Sequence, residues 1–217
     1  MPFKAAVFDL DGTLLDSLHD IANSMNAALR RKGFPEHPVV DYNYHVGDGM
    51  AILAKRVLPT DQINDAAIAE LVGLMREEYG ARWADTTRPY AGIPELLDEL
   101  TRRRIRLAIV SNKPHDFSQQ ITARLLPQWR FDPVIGSRHG VPNKPDPAGA
   151  LEAAAALKLA PSECVFIGDT YADMRTAASA GMYPAGVLWG FRGAQELLDN
   201  GAKMLAKHPL ELLSAFA

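Results

Sequence analysis

The sequence predicts an α/β fold built on a doubly wound parallel sheet, interrupted after its first strand by a helical insertion. Three observations predict it. Short apolar runs do not alternate with polar residues: Ala5-Ala6-Val7-Phe8, Leu107-Ala108-Ile109-Val110 and Cys164-Val165-Phe166-Ile167. Runs of this kind suit strands covered on both faces, as in a parallel sheet. Helical patterns lie between the runs, and alternation of strand with helix is the signature of the α/β class. The stretch from residue 16 to 88 carries no convincing strand.

The elements follow in order. The first strand ends at Asp9. Ser17 and Asp20 resemble a capping box, and Leu18, Ile21, Ala22, Met25 and Leu29 then recur at helical spacing. A second helix is expected over Gly49–Leu58. A third is expected over Asp61–Trp83, with Ile68, Leu71, Val72, Met75 and Tyr79 as one stripe, whose ordinary role is helix packing. Tyr90-Ala91-Gly92 reads as the return linker. Residues 1–15 and 89–217 are therefore assigned to the α/β core and residues 16–88 to the helical insertion. In the core, Ile93–Arg103 places Leu96, Leu97 and Leu100 on one face, with Pro94 suited to a first helical turn. Asp146-Pro147 reads as an N-cap and first-turn proline for a helix reaching Leu157. Thr170–Ala180 is helical by pattern and stops at Gly181. Val134-Ile135 and Ala185–Leu188 supply two further strands.

Composition narrows the function classes. The chain has 217 residues, 47% of them hydrophobic, and a net charge of −3. A nucleic-acid binder normally carries a basic surplus, so no nucleic-acid partner is expected. A single cysteine, Cys164, excludes an internal disulfide and suits a reducing compartment. Its place in an apolar strand reads as inert core. The N-terminal apolar run is short and meets Asp9 at once, unlike a secretory signal, and no stretch reaches the roughly 18 to 20 apolar residues of a membrane helix. A cytoplasmic protein without a membrane partner is expected, as monomer or homodimer.

Each strong strand ends in polar residues: Asp9 with Asp11, Ser111-Asn112, and Gly168-Asp169 with Asp173. In open α/β sheets ligands bind beyond the carboxyl ends of the strands. Asp-x-Asp-Gly alone is also an ordinary turn sequence; agreement between three strand ends is the stronger signal. Four carboxylates gathered there would repel one another unless a cation intervened. A hard divalent ion such as Mg²⁺ prefers oxygen ligands and commonly binds beside a substrate phosphate. His and Cys clusters suited to zinc are missing from the sequence. Lys144 precedes a helix that should start near the same edge and can add a fixed positive charge.

These segments together resemble the haloacid-dehalogenase-like (HAD) hydrolases. Asp9-Leu10-Asp11-Gly12-Thr13, followed by Leu14–Ser17, is similar to the family's first motif. Ser111-Asn112-Lys113 matches the second, Lys144-Pro145 the third and Gly168–Asp173 the fourth, in order and across the chain. The resemblance implies a Rossmann-like core with a small α-helical cap inserted after the first strand. Within the family the chain is most similar to phosphoglycolate phosphatases, through Val46–Met50, Gly190-Phe191-Arg192 and Glu196-Leu197-Leu198. Around Ser137-Arg138-His139 it is more basic than that branch.

The resemblance implies a mechanism. Asp9 would be the nucleophile that forms a phospho-aspartate. Asp11 would protonate the leaving oxygen and then activate water. Mg²⁺ would sit among the Asp9 carboxylate, the Asp11 carbonyl and Asp169, with Asp173 supporting from the second layer. Lys144 would offset charge on the phosphoryl group, held also by Ser111, Gly12, Asn112 and nearby backbone N–H groups. The cap would open for substrate and close to exclude water, with Asn43, His45 and Asp48 as candidates to face it. The presence of Asp11 argues against a dehalogenase, which needs no acid for a halide. The expected partner is a small phosphorylated metabolite such as 2-phosphoglycolate. The alternatives are a sugar phosphomutase resembling β-phosphoglucomutase, or a non-catalytic phosphate-binding module.

Overall fold

A computed structural model describes residues 3–217. The chain forms two compact units, residues 1–15 with 89–217 and residues 16–88. In chain order, β1 (Ala5–Phe8) and β2 (Leu15–Asp16) come first. The helices α1 (Leu18–Arg31), α2 (Tyr42–His45), α3 (Met50–Val57) and α4 (Asp65–Arg82) follow. Next come β3 (Arg88–Pro89), α5 (Ile93–Arg102), β4 (Arg106–Pro114), α6 (His115–Leu125) and β5 (Phe131–Ser137). The chain continues through α7 (Ala148–Ala156), β6 (Cys164–Gly168), α8 (Tyr171–Ala180), β7 (Tyr183–Val187), α9 (Ala194–Asp199) and β8 (Met204–Ala206). It ends in 3-10 turns over Pro209–Phe216.

The larger unit is a six-stranded parallel sheet in the order β5-β4-β1-β6-β7-β8. Counting the sheet's own strands along the chain, that order is 3-2-1-4-5-6, the doubly wound arrangement. The predicted fold class is the observed one. β1 is central, paired with β4 through Ala5–Arg106 and with β6 through Ala5–Cys164. All four residues of β1 are buried, which is why that strand reads as an unbroken apolar run. Side chains alternate across the sheet. Ala5, Val7, Ala108, Val110, Cys164 and Phe166 join Ala150, Ala153 and Ala154 of α7 and Ala177 and Ala180 of α8 in one core. The alanine-rich faces of these helices keep their backbones close to the sheet. Ala6, Phe8, Leu107, Ile109, Val165 and Ile167, which alternate with the first set, are buried as well.

Two helix starts differ in detail from the pattern reading. The start expected at Asp146-Pro147 is shifted by one residue: Pro147 is the N-cap of α7 rather than its first helical residue, and Asp146, one position earlier, accepts the Ala148 N–H through Oδ1 at 2.9 Å. The helix expected from Asp61 begins instead at Asp65, since Pro59 leads into a 3-10 turn over Thr60–Gln62 and Asn64 then caps the helix by accepting from Ala67 N at 3.0 Å.

The smaller unit packs α1 against α4. Leu71, Met75 and Tyr79 of the expected stripe are buried, as are Ile21, Ala22, Met25 and Leu29 of α1. The capping box at its start is corrected by the structure: the Ser17 side chain makes no cap hydrogen bond. Asp20, only 1% exposed, turns to the other end of the unit. There it accepts from the backbone N–H groups of Thr86 and Thr87 (3.0 and 2.8 Å) and from both hydroxyls (2.7 Å each). Burial opposes ionisation, but the hydrogen bonds from Thr87 and Thr86 prevail and hold the carboxyl below its usual range. A carboxyl of depressed pKa stabilises the fold above its unfolded pKa of about 4, and the contribution disappears as pH falls through the lower folded value. Replacing Asp20 with Ala should therefore cost about 3 kcal/mol at pH 7, the scale of hydrogen bonds to a charged group. The deficit should shrink in acid. Urea unfolding at pH 7 and pH 3 checks both statements, and a deficit independent of pH would contradict them.

Candidate active site

The switch point of the sheet lies between β1 and β6, and ligand crevices form beyond the carboxyl ends of strands at such points. Asp9 follows β1 directly, and its N–H donates to Ile167 O of β6 at 2.9 Å. The chain then folds back tightly: Leu14 and Leu15 N–H both donate to Leu10 O, and Gly12 N–H donates to Leu15 O. Gly12 has φ +85°, a region open to glycine. A Cβ at Gly12 or Gly190 would collide with the Asp169 side chain. The Asp169 carboxylate is thus wedged between two glycines from opposite ends of the chain. Thr13 Oγ1 donates to its Oδ1 at 2.8 Å and Phe191 N–H to its Oδ2 at 2.9 Å. Trp189 Nε1–H donates to Thr13 O at 3.0 Å and ties the same two loops together.

Asp173 lies in the first turn of α8. Its Oδ2 accepts from Thr170 N–H and Oγ1 at 2.9 and 2.8 Å, forming a capping box. Its Oδ1 accepts from Lys144 Nζ at 2.7 Å. The same ammonium lies 2.8 Å from Asp9 Oδ1 and 5.7 Å from the centroid of the Phe166 ring. Asn112 secures this lysine from behind: its amide donates to Lys144 O at 3.0 Å and accepts from Lys144 N at 2.8 Å. The Asn112 side chain is thereby committed to the lysine backbone. Ser111 is buried beside it, its Oγ accepting from Lys113 N–H at 3.3 Å. Lys113 Nζ in turn reaches both Asp11 oxygens, at 3.0 and 2.8 Å.

Asp9, Asp169 and Asp173 each offer a carboxylate oxygen within 4.8 Å of the others, and all three are buried. Burial raises the Asp9 pKa to about 6; Lys144 pulls it down, and Asp173 pushes it up further. Burial likewise lifts Asp169 well above the usual carboxylate range, reinforced by Asp173 and Asp9. Burial works against the Lys144 charge, but Asp173 and Asp9 more than offset it and its pKa is raised. With all three ionised, the carboxylates would outnumber the one ammonium by two charges, the charge of one divalent ion; without a cation, the raised Asp9 and Asp169 values express that excess. The donors are all oxygen, which suits a hard cation.

Thus Asp9, Asp169, Asp173 and Lys144 share one cluster, Gly12 abuts Asp169, Asn112 holds Lys144, and Asp11 is paired with Lys113. Residue patterning did not single out Thr13, Gly190, Lys113 or the Phe191 N–H as parts of this arrangement. Thr13, Lys113, Gly190 and Phe191 lie within the segments that resemble the family, and that resemblance is their mark in the sequence. Cys164 is buried, which pushes its thiol up to about 11, far from a reactive thiolate.

The sequence model of haloacid dehalogenase-like hydrolases matches residues 3–181. The chain belongs to this family. A phosphoglycolate phosphatase of Xanthomonas campestris pv. campestris is 33% identical over 96% of this chain and 94% of its own. One from Aquifex aeolicus is 32% identical over 87% of this chain and 86% of its own. An N-acetylmuramic acid 6-phosphate phosphatase of Pseudomonas aeruginosa is 31% identical over 98% and 94%. Among solved structures, a haloacid dehalogenase-like family protein from Streptococcus pneumoniae superposes with a TM-score of 0.89 at 29% identity, covering 99% of each chain. This HAD-like hydrolase falls in the phosphoglycolate phosphatase-like branch and is a phosphoric monoester hydrolase. No helix among its described residues is long and apolar enough to cross a membrane.

Proposed function

We propose that the protein is a Mg²⁺-dependent phosphatase that hydrolyses a small phosphate monoester, 2-phosphoglycolate or a close analogue, through an aspartyl-phosphate. The observation that carries this reading is the buried oxygen-donor cluster of Asp9, Asp169 and Asp173, with Lys144 bridging Asp9 and Asp173. Asp9 Oδ attacks phosphorus, the P–O ester bond breaks, and the leaving oxygen takes a proton from Asp11. Water then attacks phosphorus and gives its proton to Asp11. The Asp9–phosphorus bond breaks, and inorganic phosphate leaves with Asp11 protonated as at the start. Ser111 Oγ, with the backbone N–H groups around Gly12 and Asn112, holds phosphoryl oxygens. Lys144 offsets their charge. The Asp9 carboxylate, the Asp11 carbonyl and Asp169 are the residues that would hold Mg²⁺, with Asp173 supporting through Lys144. The ion, when bound, neutralises charge on the phosphoryl group. The small helical unit acts as the cap, and the cytoplasm is the expected compartment.

The test is phosphate release from a panel of metabolite phosphates with and without Mg²⁺. The panel includes 2-phosphoglycolate and N-acetylmuramic acid 6-phosphate, the latter because a relative of similar identity carries that name. The expected result is Mg²⁺-dependent release with 2-phosphoglycolate as the preferred substrate. Isomerisation of a sugar phosphate without release would point to a phosphomutase, and silence toward every ester to a binding module.

A further inference from the structure

We propose that Lys113 is a positioning residue for the proton transfer, acting through Asp11; the inference rests on the reading of Asp11 given above. Lysine is among the residues least often buried, yet the Lys113 side chain is 4% exposed. Its backbone is fixed at both ends: the N–H donates to Ser111 Oγ and the carbonyl accepts from Ser118 Oγ, each at 3.3 Å. β5 comes so near that a Cβ on Gly136 would lie 2.7 Å from Lys113 O. From this fixed base the side chain ends on Asp11, with Nζ at 3.0 and 2.8 Å from the two oxygens. Asp11 sits just before the left-handed Gly12, on a short loop between strands. Its side chain is set by a residue of β4, the strand paired with β1.

The contact suits a group that must donate and then accept a proton. An ammonium presents three N–H donors and no acceptor. It can keep hold of one Asp11 oxygen while the other carries the proton, and grip both when the proton has gone. Lys113 would thus fix where the proton is delivered in both chemical steps. A misplacement of about 1 Å in such a group can cost around a hundredfold in rate.

The test compares Lys113→Met, Lys113→Gln, Lys113→Arg and, as control, Asp11→Asn, on two substrates. One is the alkyl phosphate that the wild type hydrolyses fastest. The other is p-nitrophenyl phosphate, whose leaving group needs little protonation. Rapid-quench measurement of phosphoenzyme formation isolates the step in which Asp11 is the donor. With the alkyl ester, K113M should slow this step about 100-fold, the scale of a lost general acid. With the nitrophenyl ester the loss should stay within about fivefold, because the proton it no longer receives matters little. K113R, which can still face both oxygens, should recover at least about tenfold of the alkyl loss. K113Q, uncharged and one atom too short to reach Asp11 as the ammonium does, should show the same substrate dependence and carries the test if K113M does not fold. Equal losses on both esters, or no loss on the alkyl ester, would overturn the inference. If D11N shows the substrate dependence and the Lys113 variants do not, only the Lys113 role falls. If D11N itself lacks that dependence, the assignment of Asp11 falls with it.

Discussion

Replacing Asp9 with Asn is expected to reduce phosphate release by a factor of about 10⁴ or more, the scale seen when a covalent nucleophile is removed. The amide has the shape of the carboxylate but no nucleophilic oxygen. The fold should survive. Asp9 is buried among other anions, and that burial holds its pKa near 6, so its charge is not a source of stability in the metal-free protein. The variant should melt within a few degrees of the wild type. It should also yield no acid-stable phosphoenzyme after quenching. Phosphate release, a thermal melt and a quench with labelled substrate settle the matter. Turnover within tenfold of the wild type would remove Asp9 from the role.

The second large effect concerns Lys144. It bridges Asp9 and Asp173 while itself 3% exposed. Lys144→Met keeps the length and the apolar stem but leaves three buried carboxylates without their ammonium. Breaking a buried ion pair from one side costs about 3–5 kcal/mol. For a chain of this size that corresponds to a loss of roughly 10 °C in Tm. The variant should also gain more from added Mg²⁺ than the wild type does, because the cation then supplies charge that the lysine no longer provides. Scanning calorimetry in EDTA and in Mg²⁺ provides the check. A metal-free Tm unchanged by the substitution would mean that the cluster is not held together electrostatically.

Most of the fold was legible because the central strands are covered on both faces. β1 and β6 are buried at every residue, so their sequences carry no polar interruption. β4 was legible only in part. It extends to Pro114 through Ser111, Asn112 and Lys113, polar residues that a strand pattern excludes. They are tolerated there because they face a site rather than a core. β8 is three residues at the sheet edge, too short to show a period. At Ser17 a local motif misled, because Asp20 is taken by Thr86 and Thr87, residues remote in sequence. The acidic members of the site could be read from strand ends. The supporting members could not. Nothing in a sequence marks Lys113 as a buried lysine, or shows that the Asn112 amide is spent on the Lys144 backbone.

Asp173 divides its oxygens between two tasks, one closing the first turn of α8 and the other gripping Lys144. Position 173 is therefore answerable to two neighbours with opposite tolerances. Asparagine could still cap the helix through its carbonyl but would lose the anion that the lysine faces. Glutamate would keep the anion but sit one methylene too far out to serve the threonine. An engineer seeking a more heat-resistant variant by improving this helix start has almost no latitude here. Gains in α8 would have to come from its far end, where Gly181 closes the last turn in the left-handed conformation and no partner in the reaction is listening.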